Sequence, residues 1–264
     1  MSNWDEIDQK AKKWIKEAGE RIRNSFKMEL IIETKSNPDD LVTNIDKETE
    51  RFFIENINNT FPGHQILGEE GFGDNIESLK GIVWIIDPID GTMNFVHQQR
   101  NFAISVAVYE DGVGQIGIIY DVVHDELYHA IKGKGAYFNS TKIEPLKDVT
   151  LNQSIVGINA TWITENKRID PKILIPIVNA ARGTRSYGSA ALEMAYVVTG
   201  RINAYITMRL SPWDFAAGAI LITEVGGIVT TLEGEPLHLL KENSVICANA
   251  NIHNEIFTNY LKRK

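Results

Sequence analysis

Trp4, Ile7, Ala11, Trp14, Ile15, Ala18 and Ile22 recur every three or four residues, the spacing that lines one face of an α-helix. Asn3 and Glu6 bracket its start in the manner of a capping box. The Asn37-Pro38 pair interrupts the chain beyond that helix, and a second helix is predicted to begin between Asn44 and Asp46. The texture then changes. Apolar and alternating runs at 83–87, 103–109, 115–123 and 126–131 are separated by turn residues such as Glu110-Asp-Gly112, which predicts a largely antiparallel sheet covered by helices. Beyond about Lys147, strands and helices alternate. Residues 155–158, 204–208, 228–232 and 245–248 read as strands, and 190–198 reads as a helix ending at Gly200. A further helix runs from near Pro212 to Gly226-Gly227. The expected fold is a layered α+β or α/β protein, with an N-terminal sub-domain at 1–147 and a C-terminal α/β sub-domain at 148–264 sharing one site.

Composition narrows the partners. With 264 residues, 43% hydrophobic and 23% charged, the chain can bury a sizeable core. A net charge of −8 leaves no basic surplus to neutralise a nucleic-acid backbone. No apolar run approaches the ~20 residues of a membrane span, and the N-terminus is polar, so a cytoplasmic protein without membrane contact is expected. The single cysteine, Cys247, excludes an internal disulfide and reads as a buried core thiol.

The candidate chemistry lies in acids. The strand beginning at Val83 ends on Asp87 and Asp90, with Pro88 expected to turn the chain between them. Gly91-Thr92 then opens a short helix, whose free N–H groups favour an anion. Two carboxylates beside an anion site repel, at ~4 kcal/mol for charges ~4 Å apart in an effective dielectric near 20. A hard divalent cation resolves that conflict by bridging carboxylate and phosphate oxygens. Three further segments add acids: Glu69 and Glu70 beside glycines, Asp214 in the first turn of an apolar helix, and Asp46 behind Thr43. Each also has a structural reading. Asp-Pro-x-Asp-Gly is an ordinary turn string, Glu69-Glu70 a solvated pair, Asp214 a first-turn acid and Asp46 a helix cap.

Gly68-Glu-Glu70, Asp87-Pro-Ile-Asp-Gly-Thr92 with Asn94-Phe95, and Trp213-Asp214 with Ala216-Ala-Gly218 resemble the inositol monophosphatase family of lithium-sensitive, magnesium-dependent phosphomonoesterases. The resemblance implies a sugar-phosphatase-like αβαβα sandwich and two to three Mg²⁺ per site. Glu69, Asp87 and the Ile89 carbonyl would hold one ion, and Asp87, Asp90 and Asp214 a second. A weaker third would lie near Glu69, where metal-activated water attacks. Thr92 and Asp46 would orient and deprotonate that water, with Glu69 and Glu70 counted among the catalytic side chains. Gly91 and Thr92 would grip the phosphate, and Gly188, Ser189, Ala190, Thr207 and Asp214 would line the substrate side. Animal enzymes specialised for inositol carry a glutamate where Thr207 stands, so weaker selection of ring hydroxyls is expected. The implied substrate is a small phosphorylated metabolite, nominally inositol 1-phosphate, with NADP, another nucleotide phosphate or fructose bisphosphate as the alternative. A homodimer is implied as well.

Overall fold

The computed structural model describes residues 3–27, 29–34 and 41–261, so the Asn37-Pro38 break lies outside the described residues. Helix α1 (Trp4–Ser25) opens the chain, and the Asn3 side chain accepts the Glu6 N–H at 3.3 Å. Strands β1 (Ile32–Thr34) and β2 (Leu41–Thr43) pair antiparallel and lead into α2 (Asn44–Thr60). Next come β3 (Gln65–Gly68), β4 (Ile82–Asp90), the short helix α3 (Thr92–Gln98), β5 (Ala103–Glu110), β6 (Val113–Asp121), β7 (Glu126–Ile131), β8 (Gly135–Phe138) and β9 (Thr141–Lys142). Strands β3 to β9 form one seven-stranded sheet in chain order, parallel only between β3 and β4.

The second half contains β10 (Ile155–Ile158), α4 (Pro171–Ala180), β11 (Gly183–Arg185), α5 (Ala190–Val198), β12 (Ala204–Leu210), α6 (Pro212–Glu224), β13 (Ile228–Thr230), β14 (Asn243–Ala248) and α7 (Ala250–Ile256). Its sheet is ordered β11-β10-β12-β14-β13, with β11, β10 and β12 mutually parallel. Neither α4 nor α7 is among the helices that the sequence pattern predicts. Pro176 inside α4 reads locally as a breaker, and α7 spans only two turns.

Three apolar cores define five layers. On one face of the large sheet, Trp84, Ile86, Ile104 and Val106 meet Ile7, Trp14 and Ile15 of α1 and Phe53 and Ile57 of α2. On its other face, Val83, Ile85 and Ala107 meet α5 and α6, which also pack on Tyr205 and Cys247 of the small sheet. The outer face of that sheet, with Ile206 and Ile246, is closed by Leu174 of α4 and Ile252 of α7. The order helix, sheet, helix, sheet, helix is the αβαβα sandwich. It explains why β4 is a continuous apolar run rather than an alternating one: both of its faces are buried. It also explains why α5 is buried at all nine positions, since it lies between two sheets. Among the described residues no helix is long and apolar enough to cross a membrane, and Cys247 is a free, buried thiol.

The central layer depends on close approach. A Cβ at Gly117 of β6 would lie 2.6 Å from the Ala217 carbonyl oxygen of α6. Backbone has nowhere to retreat there, so Gly117→Ala should destabilise the protein by about 1–3 kcal/mol. Urea unfolding checks this, and an unchanged midpoint would refute the packing argument.

Candidate active site

The acids are gathered by a defect in a strand. Asp87 pairs with Ser105 and Asp90 with Ala103, so three steps along β4 match two along β5. One extra residue is a β-bulge. In a regular strand, residues three apart face opposite sides; the bulge returns Asp90 to the side of Asp87. The turn expected at Pro88 is therefore corrected: β4 runs through to Asp90, and Pro88 sits inside the bulge, where a missing N–H costs no ladder bond.

Three other elements converge on that point. Strand β3 runs parallel to β4 with Gly68 opposite Ile86, and the Glu69 N–H donates to the Ile86 carbonyl at 3.2 Å. Glu69 thus stands beside Asp87, and their carboxyl groups are hydrogen-bonded to each other. Asp214 enters from the first turn of α6, where its carboxylate accepts the Ser211 N–H at 2.7 Å in a capping box. Carboxylate oxygens of Asp87, Asp90 and Asp214 all lie within 4.8 Å of one another. The N-terminus of α5 supports Asp90, which accepts the Ser189 hydroxyl and the Ala191 N–H, the latter at 2.8 Å. Ala190 donates a longer bond of 3.3 Å.

Asp46 is both a cap and a site residue. Its Oδ2 accepts the Thr43 N–H at 2.9 Å, closing the α2 capping box, while its Oδ1 lies 3.1 Å from the Thr92 hydroxyl. Thr92 Oγ1 is also 3.0 Å from the Ile89 carbonyl oxygen. A cavity of about 200 Å³ opens between these groups, lined by Leu41, Glu69, Asp87, Ile89, Asp90, Gly91, Thr92, Met93 and Asp214.

The remaining expected residues stand outside that lining. Ser189 and Ala190 hold Asp90 from behind, and Gly188 belongs to the same turn. The Glu70 N–H donates to the Glu50 carboxylate at 2.7 Å. Thr207 is buried, and its hydroxyl accepts the Trp162 indole N–H at 3.2 Å. Two buried acids escape the sequence reading. Glu50 also accepts the Phe72 N–H at 2.9 Å, clamping the loop that carries Glu69, and a Cβ on Gly68 would collide with it at 2.4 Å. Glu193 accepts the Tyr187 and Gly188 N–H groups at 2.8 and 3.4 Å and fixes the turn before α5. Both leave a signal: Glu50 lies one turn after Asp46 on the same helix face, and Glu193 is the only charge in an apolar helix.

Burial and repulsion set the electrostatics. Burial first, then the charges of Glu69, Asp90 and Asp214, holds Asp87 well above the ordinary carboxylate range. Burial, Asp90 and Glu69 do the same to Asp214. Burial raises Asp90 to about 6 against the opposing bonds from Ser189 and Ala191, and raises Asp46 to about 6. A set of hard oxygen donors that repel one another away from water suits a divalent cation, which removes the repulsion on binding.

The carboxylate cluster at a helix-flanked bulge of an αβαβα sandwich could hold a divalent cation, and comparison with known proteins gives the chain its class. A model of the inositol monophosphatase family matches residues 3–263. Inositol-1-monophosphatase of Bacillus subtilis is 66% identical over 261 residues, 99% of this chain and 98% of that one. Inositol monophosphatase II of Staphylococcus aureus is 48% identical and superposes with a TM-score of 0.89, covering 97% of this chain and 93% of that one. Structures of SaIMPase-II with inositol monophosphate and with 2′AMP bound each match at a TM-score of 0.88 and 47% identity, with the same coverage. An IMPase/NADP phosphatase complexed with Mg²⁺ and phosphate matches at a TM-score of 0.90 and 30% identity, covering 100% and 97%. The chain belongs to the inositol monophosphatase family and is a phosphatase.

The raised acids carry a stability consequence. A carboxyl group whose folded pKa exceeds its unfolded value near 3.8 contributes stability that is lost as pH rises through the folded pKa, here about 6 for Asp46 and Asp90. A divalent cation should offset that loss. The rise in Tm on adding Mg²⁺ to chelator-treated protein should therefore be larger at about pH 7.5 than at about pH 5. Equal gains at the two pH values would contradict the assignment.

Proposed function

We propose that this phosphatase hydrolyses small phosphomonoesters, nominally inositol 1-phosphate, with Mg²⁺ as its metal. The observation that carries the proposal is the triad of carboxylates Asp87, Asp90 and Asp214 opening on the same cavity as Thr92. Asp87, Glu69 and the Ile89 carbonyl would hold one ion, Asp87, Asp90 and Asp214 a second, and the Glu69 side a weaker third. Bound Mg²⁺ supplies charge neutralisation and makes water acidic enough to yield hydroxide near neutral pH. The chain's own groups do the rest. Gly91 and Thr92 N–H groups at the start of α3 hold the phosphate in place. The Thr92 hydroxyl orients the attacking water and relays its proton to Asp46, a buried carboxylate whose raised pKa suits a base. Attack at phosphorus breaks the bond to the leaving oxygen, which takes up a proton from solvent and departs as the alcohol, while Asp46 later returns the water's proton to solvent.

One observation favours a broader substrate range. Position 207 is a threonine and offers no carboxylate to grip ring hydroxyls, and its hydroxyl already accepts the Trp162 indole N–H. NADP or another nucleotide phosphate is the second reading of the same site, and 2′AMP bound to SaIMPase-II supports it. A phosphate-release panel of inositol 1-phosphate, fructose 1,6-bisphosphate, NADP and 2′-AMP separates the two. Lithium sensitivity, a homodimeric assembly and a cytoplasmic location belong to the same reading.

Two substitutions test the roles. Asp90→Asn removes a charge but keeps an oxygen for the Ala191 N–H, so turnover at low millimolar Mg²⁺ should fall about a hundredfold or more with little change in Tm. Turnover near that of wild type would overturn the metal assignment. Thr92→Val removes the hydroxyl at nearly constant volume and should lower kcat with little change in KM. A raised KM with kcat preserved would make Thr92 a binding residue instead.

A further inference from the structure

The small sheet brings an unassigned aromatic residue to the edge where the acids meet. Strands β11, β10 and β12 are parallel, so their C-terminal ends lie along one edge, with β10 in the middle. This is where open α/β sheets bind ligands. The turn after β11 carries Ser189, which bonds Asp90, and the segment after β12 carries Asp214. The segment after β10, flanked by both at strand spacing, is a 3₁₀ turn at Ala160–Ile163 that contains Trp162.

Resting on the phosphatase reading above, we propose that Trp162 is a specificity residue: its indole forms the wall that meets the leaving group, favouring flat leaving groups such as a purine nucleoside over polyhydroxylated rings. The turn that presents it is tightly fixed. Asn159 Oδ1 accepts the Thr161 N–H at 2.9 Å, the Trp162 N–H donates to the Asn159 carbonyl at 3.0 Å, and Asn166 Nδ2 donates to the Thr164 carbonyl at 2.9 Å. The indole N–H is anchored on Thr207, which is 4% exposed. The ring itself packs against the outer core but is only partly buried. Leu41 and Met93 make part of the cavity lining apolar too. An indole face offers a leaving group contact with a π-surface rather than hydroxyl hydrogen bonds. Trp162 and Thr207 therefore act as a unit: the threonine sets the ring and the ring meets the substrate.

The test compares kcat/KM for 2′-AMP and inositol 1-phosphate in wild type, Trp162→Ala and Trp162→Phe. The alanine variant should lose about tenfold on 2′-AMP, chiefly through KM, and less than about twofold on inositol 1-phosphate. The phenylalanine variant keeps a ring but loses the N–H that Thr207 anchors, so on 2′-AMP it should fall between wild type and alanine, with inositol 1-phosphate little changed. Equal losses on the two substrates in Trp162→Ala, or a phenylalanine variant as poor as alanine on 2′-AMP, would overturn the specificity role while leaving the phosphatase reading intact. Wild type that releases phosphate from neither substrate would overturn the small-phosphomonoester reading of the site, and the specificity role of Trp162 with it.

Discussion

Carboxylates crowded together away from water are the constraint on which the rest of this structure depends. Asp87, Asp90 and Asp214 are drawn from β4 and α6, and Glu69 is added from the end of β3. Their repulsion opposes folding, so the surrounding elements must hold them. Asp90 is met by the N-terminus of α5, Asp214 by its own capping box, and Asp46 by Thr43 and Thr92. Asp87 accepts the Ile89 N–H at 3.0 Å and faces the charges of Glu69, Asp90 and Asp214. Helix N-termini recur in this set because they offer unpaired N–H groups and a favourable dipole, which stabilise a buried anion alongside the hydroxyl bonds.

The apolar layers supply the force that keeps these groups together. Helices α5 and α6 lie between two sheets and are apolar almost all round, so they cannot turn away from the acids without exposing the central core. The Tyr109 hydroxyl donates to the Ala216 carbonyl at 3.0 Å and the Ser105 hydroxyl to the Trp213 carbonyl at 3.1 Å, fixing the start of α6 on β5. Ser105 is also the residue opposite Asp87 in the ladder. The same strand thus registers both halves of the acid cluster.

Much of this is legible in the sequence because it rests on local rules. The α1 stripe, the α2 capping box, the buried β4 run and the α6 start at Pro212 follow from periodicity and capping chemistry within a few residues. The four acidic segments are legible for a related reason, since each lies at the end of an element where a charge has local meaning. The features that escape depend on partners far along the chain. Pro88 reads as a turn because the pairing that makes it a bulge is supplied by Ser105 and Ala103. Glu50 and Glu193 read as ordinary helix acids until the loops they clamp are brought to them. Thr207 reads as a side chain open to substrate, whereas Trp162 already holds its hydroxyl.

The bond between Ser189 and Asp90 spans 99 positions and that between Ser105 and Trp213 spans 108. Contacts of such separation form late, because the entropy of closing long loops must be overcome before they contribute. The acids give no early reward, since bringing them together is unfavourable until α5 and α6 are seated. During synthesis, a nascent chain that has delivered every strand of the large sheet still lacks both central helices. Chemistry therefore begins only when the last third of the polypeptide arrives, and a chain ending before α6 would carry Asp87 and Asp90, with Glu69 beside them, on a scaffold without Asp214, the third carboxylate of their triad.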